Sequence, residues 1–360
     1  MAKRVLRIVM IVLAAAFLFY ALAVYMIDPY MHYHAPWFGL KPQRSDDSRY
    51  ENYGIARFFD YNAVMLGTSV TQDARCSEYC SLYGVKAIRI KFAGSYFREL
   101  ADFLRFAYAH HEGRIDKVFW VLDITHFLTS ADKAGHSDNP EYLYDDNFFN
   151  DASYLLNKDV LPDLGRALVN YSPIDFDWKV WNDPTGYDAL IKVYAPNRPA
   201  QSEEKAFDGD MRAMVLENFE SNILSFVREH PETEFTFVIP PGNVFFWDYA
   251  IRNGEYGCQI EAMKLAAGEI LAYPNVRLFC YADDPGKTRD LDRFKDRVHF
   301  DPAMMSEIIA DTAAGKGQLT AENLDARMEA LREMWLLPDY DALYAGEDPW
   351  AGALTQNGTF

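Results

Sequence analysis

Short apolar runs that alternate with helical patterns constrain the fold of this 360-residue chain more than any other feature. The runs are nearly continuous in apolar residues, which is typical of strands buried on both faces of a sheet. The stretches between them repeat apolar residues at the spacing of one helix face. This alternation predicts an α/β fold with a mostly parallel, doubly wound sheet in three layers. The predicted strands are 63–66, 87–93, 117–122, 234–239 and 276–281, and the clearest helices are 97–111, 211–230 and 259–272.

The N-terminus has the composition of a membrane anchor. A basic head (residues 1–7) precedes an uncharged, apolar run over residues 8–27. About twenty apolar residues are what a helix needs to cross the hydrocarbon core of a bilayer. The basic head predicts a cytoplasmic N-terminus and an extracytoplasmic domain on a single-pass anchor. A cleaved signal peptide is the alternative, because residues 21–23 resemble a cleavage site, although the apolar run continues beyond them.

The rest of the chain divides into four predicted regions. Residues 28–50 contain prolines and polar residues without periodicity and are interpreted as a linker. The α/β domain is predicted over 51–312, and 313–360 should form a C-terminal helix and tail. Residues 126–210 break the alternating pattern and contain clustered aromatic residues, so we interpret them as an insertion that shapes a substrate surface over the site. An auxiliary subdomain that only packs against the fold is an equally open alternative.

Composition excludes some functions. A formal net charge of −18 argues against broad nucleic-acid binding, and no nucleic-acid partner is expected. Four cysteines show no paired zinc-ligand spacing. Cys76 and Cys80 can face each other on a helix and form a disulfide in an exported chain, or remain reduced. The pairs His32/His34 and His110/His111 lack nearby ligands in a recognised spacing, so neither a metal nor another cofactor is expected.

Ser69 follows the first predicted strand within Gly67-Thr-Ser-Val-Thr71. Sites in parallel α/β sheets form at the carboxyl ends of strands. Unpaired N–H groups where a helix starts can stabilise a developing oxyanion, and a preceding glycine permits close backbone approach. The block lacks the second glycine of the Gly-x-Ser-x-Gly nucleophile elbow. Taken alone, Ser69 is more simply explained as a helix N-cap.

Asp296-Arg-Val-His299 follows the last predicted strand and supplies the groups that would activate such a serine. A catalytic histidine needs a carboxylate that orients its ring and stabilises its cation, and a spacing of three residues allows one turn of chain to carry both. Asp301-Pro302 has the pattern of a helix N-cap with proline at the first position, which would make the loop rigid. A solvated histidine beside a capping aspartate is the structural alternative.

The two blocks together resemble the SGNH (GDSL-like) hydrolase superfamily, whose sheet is flavodoxin-like. The resemblance implies that Ser69 is the nucleophile, that Asp296 and His299 complete the triad, and that the N–H groups of Ser69 and Gly94 form the oxyanion hole. Gly94 matches through its Phe92-Ala-Gly-Ser95 context. The chain is most similar to the membrane-anchored branch that includes the D-alanyl transfer protein DltD. The similarity lies in the anchor, the Gly-Thr-Ser-x-Thr block, and residues 237–241 and 290–296.

One block departs from that superfamily. Where an asparagine usually contributes to the oxyanion hole, the third strand is followed by Asp123, whose carboxylate would repel an oxyanion. Asp123 is interpreted as a structural cap, with a substrate-amine ligand as the alternative. Trp247, after the Pro240-Pro241 loop, is expected either to line an acyl or sugar pocket or to cover the core.

The expected function is serine-dependent acyl ester transfer or hydrolysis outside the membrane, on a cell-envelope glycan or polyol or with an acyl-carrier substrate. The resemblance implies a membrane-bound O-acyltransferase as the partner that supplies the acyl group. The alternative is a non-catalytic envelope-assembly or glycan-binding protein on a degenerate SGNH scaffold, a hypothesis that depends on Asp123.

Overall fold

The computed structural model describes residues 2–136, 139–145, 147–178 and 186–352. The predicted tail beyond Gly352 and Trp181 of the predicted insertion lie outside these residues. Helices in the described ranges are α1 (Ala2–Ile27), α2 (Asn52–Phe58), α3 (Cys76–Tyr83), α4 (Phe97–His110), α5 (Ala152–Leu155), α6 (Leu161–Leu168), α7 (Gly186–Tyr194), α8 (Gly209–Phe219), α9 (Ser225–Glu229), α10 (Val244–Arg252), α11 (Tyr256–Ile270), α12 (Pro285–Thr288), α13 (Pro302–Ala313), α14 (Leu324–Met334) and α15 (Tyr340–Ala345).

The described strands form one mixed α/β sheet, mostly parallel, in the order β2-β1-β3-β4-β5-β6. The first five strands are parallel, which confirms the predicted α/β class and mostly parallel sheet, and their inner residues are buried as continuous apolar runs require. β6 pairs antiparallel with β5 and was not predicted, because two residues carry no detectable period. The strands are β1 (Ala63–Gly67), β2 (Ala87–Lys91), β3 (Lys117–Val121), β4 (Glu234–Ile239), β5 (Val276–Cys280) and β6 (Gln318–Leu319).

The predicted helices are present with adjusted bounds. The apolar face of α4, with Leu100, Phe103, Leu104 and Ala107, is completely buried. The single helix predicted over 211–230 is interrupted by a π-helical turn, Glu220–Leu224, which separates α8 from α9. This turn coincides with buried amide side chains that a periodicity argument does not detect: Asn222 donates to Asn218 at 2.9 Å.

The chain divides into two compact units, and the first consists of Met1–Asp60, Asp102–Arg114 and His136–Phe176. Its core joins Val24 near the end of α1 to Tyr30, Tyr154 and other buried apolar side chains. Residues 28–50, interpreted from sequence as a linker, contain folded turns. Asp28 is buried and accepts backbone hydrogen bonds from His32, Tyr33 and His34. A carboxylate that satisfies three N–H groups fixes this segment, and no periodic pattern would reveal it.

The second unit consists of Tyr61–Ala101, Ile115–Gly135 and Asp177–Phe360 and contains the whole sheet. The predicted insertion 126–210 is therefore divided, with 136–176 in the first unit and the remainder in the second. Because β1 to β5 are parallel, their carboxyl ends lie at one edge of the sheet. Ser69, Gly94 and Asp123 each follow a strand at this edge.

Candidate active site

The turn that carries Ser69 is built by the five-residue block around it. Ser69 starts a short 3-10 helix, Ser69–Thr71, directly after β1, and its side chain is half-buried. The Thr71 hydroxyl donates to the Thr68 carbonyl at 2.9 Å and closes the turn. Thr71 also lies so close over Gly67 that a β-carbon at Gly67 would overlap its hydroxyl. The glycine and second threonine of the block therefore shape the turn that presents Ser69.

The loop that carries Asp296 and His299 is closed at both ends. An antiparallel bridge joins Phe294 to Phe300, and the Lys295 amide donates to the His299 carbonyl at 3.0 Å. Beyond the loop, Asp301 accepts a hydrogen bond from the Met304 amide at 2.6 Å and caps α13, whose first residue is Pro302. This cap has the form that the sequence predicts. The loop is thus held in one conformation before the helix begins.

Ser69, His299 and Asp296 form a continuous hydrogen-bonded chain across 230 residues of sequence. His299 Nε2 lies 2.6 Å from Ser69 Oγ, and His299 Nδ1 lies 2.6 Å from Asp296 Oδ2. Asp296 Oδ1 accepts from the backbone N–H groups of Val298 and His299, which fixes the carboxylate. With Nδ1–H donating to Asp296, Nε2 is the acceptor that can take a proton from Ser69.

The charges and hydrogen bonds between His299 and Asp296 favour a basic imidazole at His299. Burial lowers the pKa of His299, but the hydrogen bond and charge of Asp296 outweigh it, with a further contribution from Asp123, and leave the pKa above its ordinary value. Burial raises the pKa of Asp296, but the hydrogen bonds from His299 and Val298 and the charge of His299 leave it below its ordinary value. Asp296 is therefore ionised at neutral pH, and the imidazolium that forms during proton transfer is stabilised.

Gly94 lies in an exposed loop after β2 and has a φ of 72°, the left-handed region that favours glycine. The Ser95 amide donates to the Phe92 carbonyl at 3.2 Å and shapes the loop. No hydrogen bond joins the amide of Ser69 or of Gly94 to another residue that the structure describes. An N–H group without such a partner is the kind of donor that an oxyanion requires.

The buried carboxylate of Glu99 connects the Gly94 loop to a neighbouring segment. It accepts from the Tyr96 amide at 2.6 Å and from the Gly135 amide at 3.1 Å. Gly135 lies against the Gly94 carbonyl so closely that a β-carbon there would overlap its oxygen. Neither Glu99 nor Gly135 is recognisable from the sequence as part of the site. A glutamate in the first turn of α4 is ordinary in sequence, and its partner lies 36 residues away.

Asp123 lies beneath the serine turn and is buried. Its Oδ2 accepts from the Thr68 hydroxyl at 2.8 Å, and its Oδ1 accepts from the amide and hydroxyl of Thr125 at 3.0 and 2.7 Å. Burial raises the pKa of Asp123, but these hydrogen bonds and the nearby His126 leave it below its ordinary value. The side chain thus caps a 3-10 helix, Ile124–His126, and holds the residue before Ser69.

Trp247 and Asn243 lie after β4 in different surroundings. Trp247 is completely buried and stacks on Trp335 with ring centroids 5.5 Å apart, so its ring is part of the core. Asn243, which sequence reasoning missed, is also completely buried. Its side-chain Nδ2 donates to the backbone carbonyl of Asp296 at 2.8 Å, and its side-chain Oδ1 accepts from the Phe245 amide and caps α10. The signal in the sequence is an N-cap residue directly after Pro240-Pro241-Gly242.

The other predicted residues do not join this site. Cys76 and Cys80 are free thiols, as are Cys258 and Cys280. His32 lies 3.2 Å from Asp151 in the first unit. Within the described ranges, no group of three or more histidine, cysteine, aspartate or glutamate side chains is arranged to hold a metal ion.

Comparisons with known proteins give little beyond the geometry. No protein-family model matches the chain. No curated protein matches it either. A solved structure from Streptococcus pneumoniae that carries the provisional description of a platelet activating factor is similar to this chain at 15% identity and a TM-score of 0.37, over 74% of this chain and 89% of that one. A TM-score this low carries no argument for a shared fold or activity.

Proposed function

We propose that this protein is an SGNH-type serine esterase or O-acyltransferase that acts on acyl esters outside the cell membrane. The observation that carries the proposal is the chain of two 2.6 Å hydrogen bonds from Ser69 through His299 to Asp296. The strand order 2-1-3-4-5 supports it as well, because flavodoxin-like doubly wound sheets have this order and bind ligands at the carboxyl ends of the strands.

The reaction proceeds in two steps. Ser69 Oγ attacks the carbonyl carbon of an acyl ester or thioester while His299 Nε2 takes the hydroxyl proton. The amides of Ser69 and Gly94 receive the oxyanion, and His299 returns the proton to the leaving alcohol or thiol. The acyl-Ser69 intermediate is then attacked by a glycan or polyol hydroxyl, or by water, with His299 again as the base. Asp296 orients the imidazole and stabilises its cation throughout.

Asp123 affects the expected rate. With its carboxylate engaged by Thr68 and Thr125, it does not provide the third oxyanion donor that an asparagine would. Removing one such donor costs about 2.7–4 kcal/mol of transition-state stabilisation in a well-studied hydrolase. A site with two backbone donors suits acyl transfer to an abundant acceptor better than rapid hydrolysis.

The location rests on α1, which is long and apolar enough to cross a membrane. A helix of this kind at the N-terminus fits a signal-anchor with the second unit outside the cell, and it equally fits a signal sequence. The mass of the mature chain distinguishes a signal-anchor from a cleaved signal sequence, because cleavage near Ala23 would remove most of α1. A cell-envelope glycan as the acceptor and a membrane-bound O-acyltransferase as the acyl donor belong to this proposal.

Turnover of p-nitrophenyl acetate tests the chemistry. The wild-type chain should release p-nitrophenol and form acetyl-Ser69, whereas Ser69→Ala should do neither. Ser81→Ala, which removes an exposed hydroxyl on α3, is the matched control and should retain wild-type turnover. A polyol acceptor should increase release if transfer is the natural reaction. A folded Ser69→Ala chain that turns over ester at the wild-type rate would instead favour a non-catalytic binding protein.

A further inference from the structure

The first unit exposes an apolar patch beside α1. Phe148, Phe149 and Leu156 are 69%, 93% and 46% exposed, and with Phe17 and Leu18 of α1 they line an apolar groove of about 470 Å³. Aromatic side chains this exposed are rare on a surface that faces water, and a contiguous patch of them indicates a partner. The patch is therefore suited to contact with an apolar medium or surface.

No charged side chain in the segment of residues 147–157 is exposed. Between Asn147 and Asn157 the one ionisable carboxylate is Asp151, which is 3% exposed and bonds inward to His32 and to the Tyr33 hydroxyl. On the C-terminal side, exposed charges begin at Lys158, which is 87% exposed and pairs with Asp159. On the N-terminal side, the half-buried Asp145 accepts hydrogen bonds from the Asn147 amide and the Asn150 side chain. The exposed side chains of residues 147–157 can therefore be transferred from water to an apolar medium without the burial of an unpaired charge from this segment.

The level of the segment along α1 matches the expected membrane boundary. The exposed part of α1 differs from the apolar run predicted over 8–27: residues 2–19 are exposed, whereas Tyr20, Val24 and Ile27 pack into the first unit. At 1.5 Å per residue, residues 2–19 rise about 27 Å, close to the roughly 30 Å of a hydrocarbon core, with Lys3, Arg4 and Arg7 at the N-terminal end of this stretch. From Tyr20 the helix packs into the unit, and the Tyr20 hydroxyl donates to the Asn157 carbonyl at 2.6 Å. The basic side chains near the N-terminus are long enough to reach the headgroups. Phe17 and Leu18 thus lie just inside the outer boundary.

From these observations we propose that the Phe148–Leu156 segment inserts into the outer leaflet of the same membrane that α1 crosses, with Lys158 at the level of the headgroups. The occupant is lipid, because the groove is formed partly by the exposed, apolar part of α1, which would lie in the acyl region, and because Phe149 beside it is 93% exposed. An amphipathic segment with its apolar face in the acyl region is a common interfacial element. The inference depends on α1 lying in a membrane and is independent of the ester chemistry.

Site-specific photocrosslinking tests this directly. Benzoylphenylalanine is placed at Phe149, at Lys158 or at Phe19 in the full-length chain, which is reconstituted into phosphatidylethanolamine–phosphatidylglycerol vesicles and irradiated. Phe149 and Lys158 are similarly exposed and nine residues apart, so they form a matched pair, and Phe19 reports on α1. We expect phospholipid adducts at Phe19 and Phe149 in yields several-fold above that at Lys158, by mass spectrometry of the irradiated peptides.

Each other outcome overturns the proposal in a distinct way. Adducts at Phe19 with none above the Lys158 yield at Phe149 would leave the anchor intact and refute the inserted segment. No adduct at Phe19 would refute both. The same irradiation can be done in native membranes. A crosslink from position 149 to a second polypeptide there would show that the patch binds a protein partner and not lipid. None of these results affects ester turnover, so failure here is distinguishable from failure of the proposed function.

Discussion

At the scale of single residues, Asp296 raises the pH at which His299 loses its proton and becomes available as the proposed base. Burial alone would lower the pKa of His299, and Asp296 reverses that effect. Only the neutral imidazole accepts the Ser69 proton, so ester turnover should be lost as the pH falls through the raised pKa, with a midpoint above the ordinary value of about 6.5. The same shift contributes folding stability below the unfolded pKa that is lost as the pH rises through the folded pKa.

Asp296→Asn should lower both the rate and this midpoint. The amide cannot stabilise the imidazolium, so we expect a loss of roughly 10⁴-fold in kcat, the effect known for the same change in a serine protease triad. The pH–rate profile should shift to lower pH, since burial then dominates. Asp292→Asn, an exposed change in the same segment, is the control. An unshifted profile in Asp296→Asn would contradict the assigned role.

Asp123→Asn should shift the same midpoint with a smaller effect on rate. Asp123 raises the pKa of His299 through its charge, whereas its direct contacts are with Thr68 and Thr125. Asparagine keeps an acceptor for the Thr68 hydroxyl but removes the charge, so the acid limb should shift to lower pH. Equal pH–rate midpoints for the mutant and the wild type would show that the charge of Asp123 does not reach His299.

At the scale of elements, Asn243 in the loop after β4 supports the loop that carries Asp296 and His299. Asn243→Ala removes the hydrogen bond to the Asp296 carbonyl and the cap of α10. We expect a loss of roughly 2 kcal/mol in the free energy of unfolding, measured by urea denaturation. Ester turnover should fall by up to about 10²-fold, because small displacements of catalytic groups are costly. Asn253→Ala at the other end of α10 should change turnover little.

The hydrogen bonds of Glu99 to Tyr96 and Gly135 should position the Gly94 amide, as Asn243 positions the loop of Asp296. Gly135→Ala places a methyl group against the Gly94 carbonyl and forces the two loops apart. If the Gly94 amide stabilises the oxyanion, kcat should fall by about 10²–10³-fold. Gly209→Ala, where a β-carbon meets no neighbour, is the control. Retained kcat in a folded Gly135→Ala chain would exclude Gly94 as an oxyanion donor.

At the scale of the whole molecule, the residues of the proposed ester chemistry and the proposed membrane anchor lie in different units. Ser69, Asp296 and His299 belong to the second unit, and α1 belongs to the first. A chain that lacks residues 2–19 retains Val24 and the packed end of α1. It should become extractable by carbonate and keep wild-type turnover of p-nitrophenyl acetate, measured after gel filtration. Loss of turnover in a folded, monodisperse truncated chain would contradict this division.

Local signals account for what the sequence predicts. The β1 run, the Ser69 block, the Asp296–His299 spacing and the Asp301-Pro302 cap depend on neighbours within a few residues, so pattern and spacing detect them. The partners that support the site are distant in sequence. Glu99 meets Gly135, Asn243 meets Asp296 and Thr68 meets Asp123, and only the folded chain brings these together.

The most direct test of the central claim is the site at which a fluorophosphonate probe modifies the chain, read by mass spectrometry. We expect one phosphonylated serine, Ser69, in the wild type, and a labelling rate that falls by orders of magnitude in His299→Ala while the circular dichroism spectrum is unchanged. Unlabelled wild-type protein that is fully folded, or equal labelling of His299→Ala, would show that His299 does not activate Ser69.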